Sequence, residues 1–287
     1  MIQKINPLPT LWASFCLLLC LSAAPVWAEI PHYDMVRIRV GTFMMGSPET
    51  EPLSREDEQM HQVTLTRDFF MGRYEVTQAF YQAIMDTNPS YNNVCPECPV
   101  EMISWQDAII FCNALSKKSG LMPVYRKQDS KMVMDLNAPG YRLPTEAEGE
   151  YACRAGTRTI FPNGNCLSAN EANINGYIAQ SGCSESLNRA QTIPVGSFAP
   201  NGWGLYDMTG NINEFCWDWY EYYTADDQVD PLGGPPATYR VFRGGAFNNF
   251  PARSHSASRQ KLEPERALDM VGVRLVRTAV SSAEVRP

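Results

Sequence analysis

Asn201-Gly-Trp-Gly-Leu-Tyr-Asp-Met-Thr-Gly-Asn-Ile-Asn-Glu-Phe-Cys216 is the stretch on which the reading of this chain turns. It lies within a longer run, Gly156 to Ala237, dense in Gly, Pro, Asn and Ser and with little periodicity. In a compact domain such a run signals long, ordered, functional loops. Their backbone groups have no regular ladder to satisfy them, and metal ions are one answer. Gly210-Asn-Ile-Asn-Glu214 gathers the side chains of Asn211 and Glu214 and the carbonyls of Ile212 and Asn213 in one tight turn, an oxygen set of the kind calcium takes. The same side chains can also hold the turn by hydrogen bonds alone.

Upstream, three helices are marked by their starts. Thr77 caps a helix running through Phe80, Tyr81, Ile84 and Met85 that ends before Pro89. Ser104-Trp-Gln-Asp107 has capping-box character and leads into the stripe Ala108, Phe111, Cys112 and Leu115, closed by Gly120. Thr145-Glu-Ala-Glu148 repeats the device, with Ala147 and Tyr151 inward and Gly156 as the stop. Short strands are expected over Val36 to Val40, Gln62 to Leu65, Tyr239 to Phe242 and Val271 to Val276, so the sheet is small. With no repeat and no compositional shift to mark a linker, residues 29–287 read as a single domain.

The amino terminus sets the compartment. Lys4 precedes an apolar stretch from Leu11 to Leu21, and Val26-Trp-Ala28 places small residues where a signal peptidase reads. The expectation is a cleaved secretory signal peptide over residues 1–28 and a periplasmic mature protein, with Cys20 the less favoured alternative as a lipid anchor because Leu19 before it is bulky. Cleavage removes Lys4 alone among the charged residues and moves the formal charge from −7 to −8. An acidic chain without a basic cluster argues against nucleic acid as a partner. No later stretch approaches the ~18 consecutive apolar residues of a membrane helix.

Seven cysteines follow residue 28: Cys95, Cys98, Cys112, Cys153, Cys166, Cys183 and Cys216. Cys166 and Cys183 flank a Gly/Asn/Ser-rich segment and form the most natural disulfide, with a stabilisation of about 3 kcal/mol for a loop of this length. Cys95-Pro-Glu-Cys98 reads as a structural bridge, because the sequence after it is extended rather than helical. Cys112 and Cys153 read as buried thiols. One CxxC with the dispersed His32, His61 and His255 offers too few ligands for a closed zinc site.

Taken in order, Gly41-Thr-Phe-Met-Met-Gly46, Tyr74-Glu-Val-Thr77, Pro99-Val-Glu-Met-Ile-Ser-Trp105, Gly140-Tyr-Arg-Leu-Pro-Thr-Glu-Ala-Glu148, the 201–216 block, Arg243-Gly-Gly245 and Gly272-Val-Arg274 resemble the formylglycine-generating (sulfatase-modifying factor) family over residues 36–277. The resemblance implies an α+β, C-type-lectin-like fold with little regular secondary structure and bound structural calcium. One calcium site of the family matches Asn211, Ile212, Asn213 and Glu214. A second begins at a pair matching Asn173-Ile174, without a clear acidic partner around Ser186 to Arg189.

Thiol chemistry does not carry over. The family's enzymes place a reactive cysteine where Asn249 stands and another a few residues later, whereas this chain has no cysteine beyond Cys216. Amides cannot hold a cuprous ion, so no copper is expected. The corresponding segment instead offers Asn249, Arg253, His255, Arg259, Glu263 and Glu265. A burial-raised Glu263 or Glu265 would abstract a proton while His255 or Arg259 stabilises charge. Asn249 and Arg253, with Trp203 and Phe250 as stacking surfaces, would bind substrate. Trp217 and Trp219 are further aromatics of that region.

An exported, cysteine-deficient member resembles the periplasmic branch of the family that matures the siderophore pyoverdine. That implies an oxidoreductase acting on a dihydro-chromophore precursor, a small peptide-like partner. No GxGxxG follows an expected strand, so a nicotinamide or flavin is not indicated and molecular oxygen is the default acceptor. Two other classes stay open: a non-catalytic, calcium-stabilised binding module, and formylglycine generation on sulfatases by a different site.

Overall fold

The computed structural model describes Met1 and residues 31–129 and 131–279; the expected signal peptide lies outside the described residues. In chain order the elements are β1 (Met35–Ile38), β2 (Gly41–Met45), β3 (His61–Leu65), β4 (Phe69–Gly72), α1 (Gln78–Met85), α2 (Trp105–Lys118), β5 (Tyr125–Gln128), β6 (Lys131–Met134), β7 (Tyr141–Arg142), α3 (Glu146–Arg154), β8 (Asn213–Trp219), β9 (Gln228–Val229), β10 (Arg240–Arg243), β11 (Arg259–Leu262), β12 (Val271–Gly272) and β13 (Val276–Thr278). They form sheets ordered β1-β4-β13-β7, β11-β10-β8-β12 and β2-β3-β9, with β5-β6 a separate hairpin. This is the expected α+β class, with long loops between short elements.

Each helix starts where its cap requires. The Thr77 hydroxyl accepts from the Phe80 amide, and both Ser104 with Asp107 and Thr145 with Glu148 complete reciprocal capping boxes. α1 and α2 pack through stacked Tyr81 and Phe111, whose ring centroids lie 4.8 Å apart, onto Phe215, Phe242 and Leu262 of the second sheet. α3 lays Ala147, Tyr151 and Ala152 against Met45, Val63 and Met71 of the other two three- and four-stranded sheets. A third cluster of Ile160, Phe161, Leu167, Ala169, Ala172 and Ile174 anchors the long loops, and Cys166–Cys183 closes that region with Cα atoms 5.6 Å apart. Cys95 and Cys98 are also bridged.

Two expectations change. The run from Val271 to Val276 is not one strand: β12 pairs in parallel with β8, whereas β13 pairs antiparallel with β4 and β7. Between them the backbone leaves both ladders, and the Leu275 and Val273 carbonyls accept from Gly72 and Val76 at 2.8 and 2.9 Å. The switch turns the buried Arg274 toward Glu214. Secondly, the run from Gly156 to Ala237, expected as loops, contains β8, a strand between β10 and β12 with an irregular register. Arg240 lies opposite Trp219 while Phe242 lies opposite Phe215, so two residues of β10 span four of β8. This bulge sends the Trp217 amide to the Pro144 carbonyl at 2.9 Å and points Asp218 toward the start of α3.

Candidate functional site

The turn after β10 organises the surface that the sequence singles out. Gly244 and Gly245 have φ of +93° and +80°, and a Cβ on Gly245 would collide with the Ser254 side chain, so only glycine fits. The reversal brings Asn249 onto the start of β8. Its Oδ1 accepts from the Ala246 amide at 3.1 Å, from Asn213 Nδ2 at 3.3 Å and from Gln260 Nε2 at 3.5 Å, while its carbonyl accepts from the Asn175 amide at 2.9 Å. Gln260 Nε2 also donates to Asn213 Oδ1 at 3.0 Å. Asn249 is therefore the hub of a half-buried amide cluster, with Asn248 exposed beside it. Such a surface offers neutral donors and acceptors and moves no protons. Phe250 is half-buried next to it, and Arg253 is exposed without an ion pair among the described residues.

His255 and Arg259 point the other way, into the protein. His255 Nε2 lies 2.9 Å from Glu58 Oε2 in a buried pair. A carboxylate only accepts, so Nε2 carries the hydrogen. Arg259 grips Glu146 at 2.9 and 2.7 Å, donates to the Asp57 and Glu221 carbonyls, and stacks 3.8 Å from the Tyr223 ring centroid. Glu146 is shared with Arg243 at 2.7 Å, and Arg243 continues to Glu150 at 2.6 Å, which Arg154 meets at 2.8 Å. Burial acts to raise the Glu146 pKa, but Arg259 and Arg243 outweigh it and hold the carboxylate below its ordinary value.

Glu263 and Glu265 are not part of this group. Glu263 follows the end of β11 and faces Arg266 at 3.7 Å, and the exposed Glu265 accepts from Gln106 Nε2 at 2.9 Å at the start of α2. At a rise of ~3.3 Å per residue, the strand carries position 263 about 13 Å from Arg259. The expected acid, base and cation are thus divided between an edge and the interior. Trp203 lies elsewhere again, in edge-to-face contact with Tyr151 at 4.8 Å on a groove of about 350 Å³ that shares no residue with the amide cluster. Trp217 and Trp219 are partly buried, and Arg240 lies 3.5 Å from the Trp219 ring centroid.

In the 210–214 turn, the side chains expected to bind calcium hold one another. Asn211 Oδ1 accepts from Asn173 Nδ2 at 3.1 Å and the Ile193 amide at 3.0 Å, and Glu214 is chelated by Arg274. Asn213 belongs to the amide cluster, and Ile212 and Ile174 are buried core residues. The structure adds two acidic residues that the sequence reading did not select, Glu75 and Asp207. Burial, followed by mutual repulsion opposed by Arg274, raises the pKa of Glu75; burial likewise raises those of Asp207 and Glu214. Three carboxylates face one guanidinium. Glu75 Oε2 and, nearby in the loops, Asn173 Oδ1 are buried without a hydrogen-bond partner among the described residues. Excess oxygen charge and orphaned oxygens fit a hard cation. Among the described residues no three His, Cys, Asp or Glu side chains converge on one point, so such an ion would also draw on amide and carbonyl oxygens. Glu75 sits inside Tyr74-Glu-Val-Thr77 and Asp207 three residues before Gly210, so both were visible in motifs already quoted.

The free cysteines Cys112, Cys153 and Cys216 are buried, and burial pushes each thiol pKa up, which suppresses the reactive thiolate.

Residues 26–279 match the model of the sulfatase-modifying factor enzyme 1-like domain. The chain is 33% identical to the chaperone protein LppX of Paenibacillus barcinonensis, across 75% of this chain and 78% of that protein. It superposes on Treponema denticola variable protein 1 with a TM-score of 0.75 at 30% identity, covering 85% of this chain and 95% of that one. PvdO from Pseudomonas aeruginosa superposes with a TM-score of 0.68 at 28% identity, covering 85% and 94%. The chain therefore belongs to the sulfatase-modifying factor, or formylglycine-generating enzyme, family.

Proposed function

We propose that this chain serves the maturation of a peptide-like siderophore precursor of the pyoverdine type, in the periplasm, without thiol chemistry. The observation that carries this reading is the surface around Asn249: amides occupy it, and the free thiols among the described residues are buried with raised pKa values. Likeness to PvdO over 85% of the chain supports the substrate class. Asn249, Asn213 and Gln260 would hydrogen-bond the precursor's amide groups, Phe250 would stack on its flat chromophore, and Arg253 would meet an anionic group. Two electrons and two protons leave the dihydro-chromophore, and molecular oxygen takes them up as hydrogen peroxide. Calcium would be held by no more than two of the Glu75, Asp207 and Glu214 carboxylates, completed by neighbouring amide and carbonyl oxygens, and would fix the loops beneath the site.

A second reading, a calcium-stabilised binding module without chemistry, is favoured by the placement of Glu263 and Glu265 at the α2 edge, apart from His255 and Arg259. The two separate in one experiment. Calcium-loaded mature protein is incubated aerobically with the reduced precursor and followed by visible absorbance and mass, with a cysteine-containing sulfatase peptide in parallel. Loss of two hydrogens above the protein-free rate is the expected outcome. Binding without turnover would select the module, and conversion of the sulfatase cysteine would overturn the thiol-free reading.

A further inference from the structure

The Arg259–Glu146 pair forms one wall of a cavity of about 190 Å³ that the amide surface does not use. Asp218 lies in it because of the bulge in β8: its Oδ2 accepts from the Glu146 amide at 2.7 Å, and its Oδ1 has no hydrogen bond among the described residues. Gly233, at φ +79°, passes so close that a Cβ there would come within 2.7 Å of the Asp218 Cβ, so the covering loop is fitted to this carboxyl. From the opposite side comes His61, 2% exposed. Its Nδ1 lies 2.9 Å from the Gln59 carbonyl, which can only accept, so Nδ1 carries the hydrogen. In the neutral ring Nε2 is then a bare acceptor, buried in the cavity lining with no partner among the described residues.

What remains unengaged in the lining selects the ligand. Arg259 is a cation of the wall, but each of its nitrogens is already held by Glu146 or by the Asp57 and Glu221 carbonyls. Asp218 Oδ1 and His61 Nε2 inside, and the Glu221 carboxylate at the rim, are acceptors; Tyr222, Thr224 and Gln228 add neutral groups that both donate and accept, and Trp219 and Tyr222 add aromatic walls. Acceptors and carboxylates among aromatic rings complement a cation that carries N–H donors. A cavity of about 150 Å³ holds a benzene-sized molecule, so this one has room for a short alkyl chain. We propose that the cavity binds a primary alkylammonium group, with its N–H donors on Asp218 Oδ1 and His61 Nε2 and its alkyl stem against Met45 and Tyr222. The assignment does not rest on the siderophore reading.

Proton linkage gives it a signature. Asp218 faces Glu146 and Glu148 from α3, Arg240 from β10, Arg259 from β11 and Cys216 on its own strand; burial, then Glu146, raise its pKa to about 8. A bound cation favours the carboxylate, so ammonium binding releases a proton near neutral pH and tightens as pH rises from 6 to 8.

The test uses the full chain with n-butylammonium as probe and 1-butanol as its neutral match, read by ligand-observed NMR and by the ¹⁵N shift of the His61 ring. Butylammonium is expected to bind at least about tenfold more tightly than 1-butanol at pH 8, to weaken toward pH 6 and to shift the His61 Nε2 resonance. Asp218→Asn and the rim variant Tyr222→Ala should each weaken it severalfold, and Tyr222, 63% exposed, can be replaced without threat to the fold. Equal binding of the alcohol, a His61 resonance unmoved at saturation, no binding, or unchanged affinity in Tyr222→Ala would each overturn the proposal.

Discussion

Arg259 shows how a residue type at the expected position can have a different job. Every nitrogen of its guanidinium is committed to Glu146 or a carbonyl, and Glu146 is shared with Arg243, so these side chains brace β10 and β11 against α3. Arg259→Met leaves Glu146 with one partner fewer in the interior and is expected to cost about 3–5 kcal/mol in chemical denaturation. Asn249→Ala, on a half-buried neutral cluster, should cost about 1 kcal/mol while abolishing precursor turnover or binding. Asp218 supplies a test by pH. Its folded pKa of about 8 lies above the unfolded carboxylate value, so its unfolded state holds fewer protons between about pH 4 and 8 and its stabilising contribution falls as pH rises through that window. The slope is about 1.4 kcal/mol per pH unit, and urea unfolding of Asp218→Asn should lack it. Residue identity was legible here; direction was not, because whether Arg259 faces substrate or core depends on Glu146, 113 positions away.

Elements were legible in proportion to how local their causes are. α1, α2 and α3 begin at the caps that the sequence names, since a cap acts within four residues. Thr145→Ala should lower stability by about 1–2 kcal/mol in thermal or denaturant melts, at the upper end because its capping partner Glu148 also holds the buried Arg142. Strands were harder. β12 and β13 follow one apolar run, yet buried Arg274 and the carbonyls of Val273 and Leu275 find partners in different parts of the molecule. The β8 bulge is equally invisible in sequence, although it decides where Asp218 points.

At the scale of the whole molecule, local charge imbalance matters more than net charge. Glu75, Asp207 and Glu214, all raised in pKa, should make the metal-free protein lose stability as pH climbs past the ordinary carboxylate range. Calcium at one hundred times its Kd is expected to restore about 2.7 kcal/mol, seen as a higher melting temperature that a chelator reverses and Glu75→Gln diminishes. A flat response would show that the carboxylates are held by protons and Arg274 alone. The family's motifs made this region findable, but the excess charge appears only when residues 75, 207 and 214 are brought together.

β13 lies between β4 and β7, in the same sheet as β1, so the first strand described and the last belong to one ladder system. A chain wired in this way cannot finish its opening sheet while it is being made. The sheet begun by β1 and β4 must wait for residue 278 to emerge, and until then the chain stays soft enough to be threaded, captured by a chaperone or cut. Completion of that sheet thus waits on β13, the last strand described.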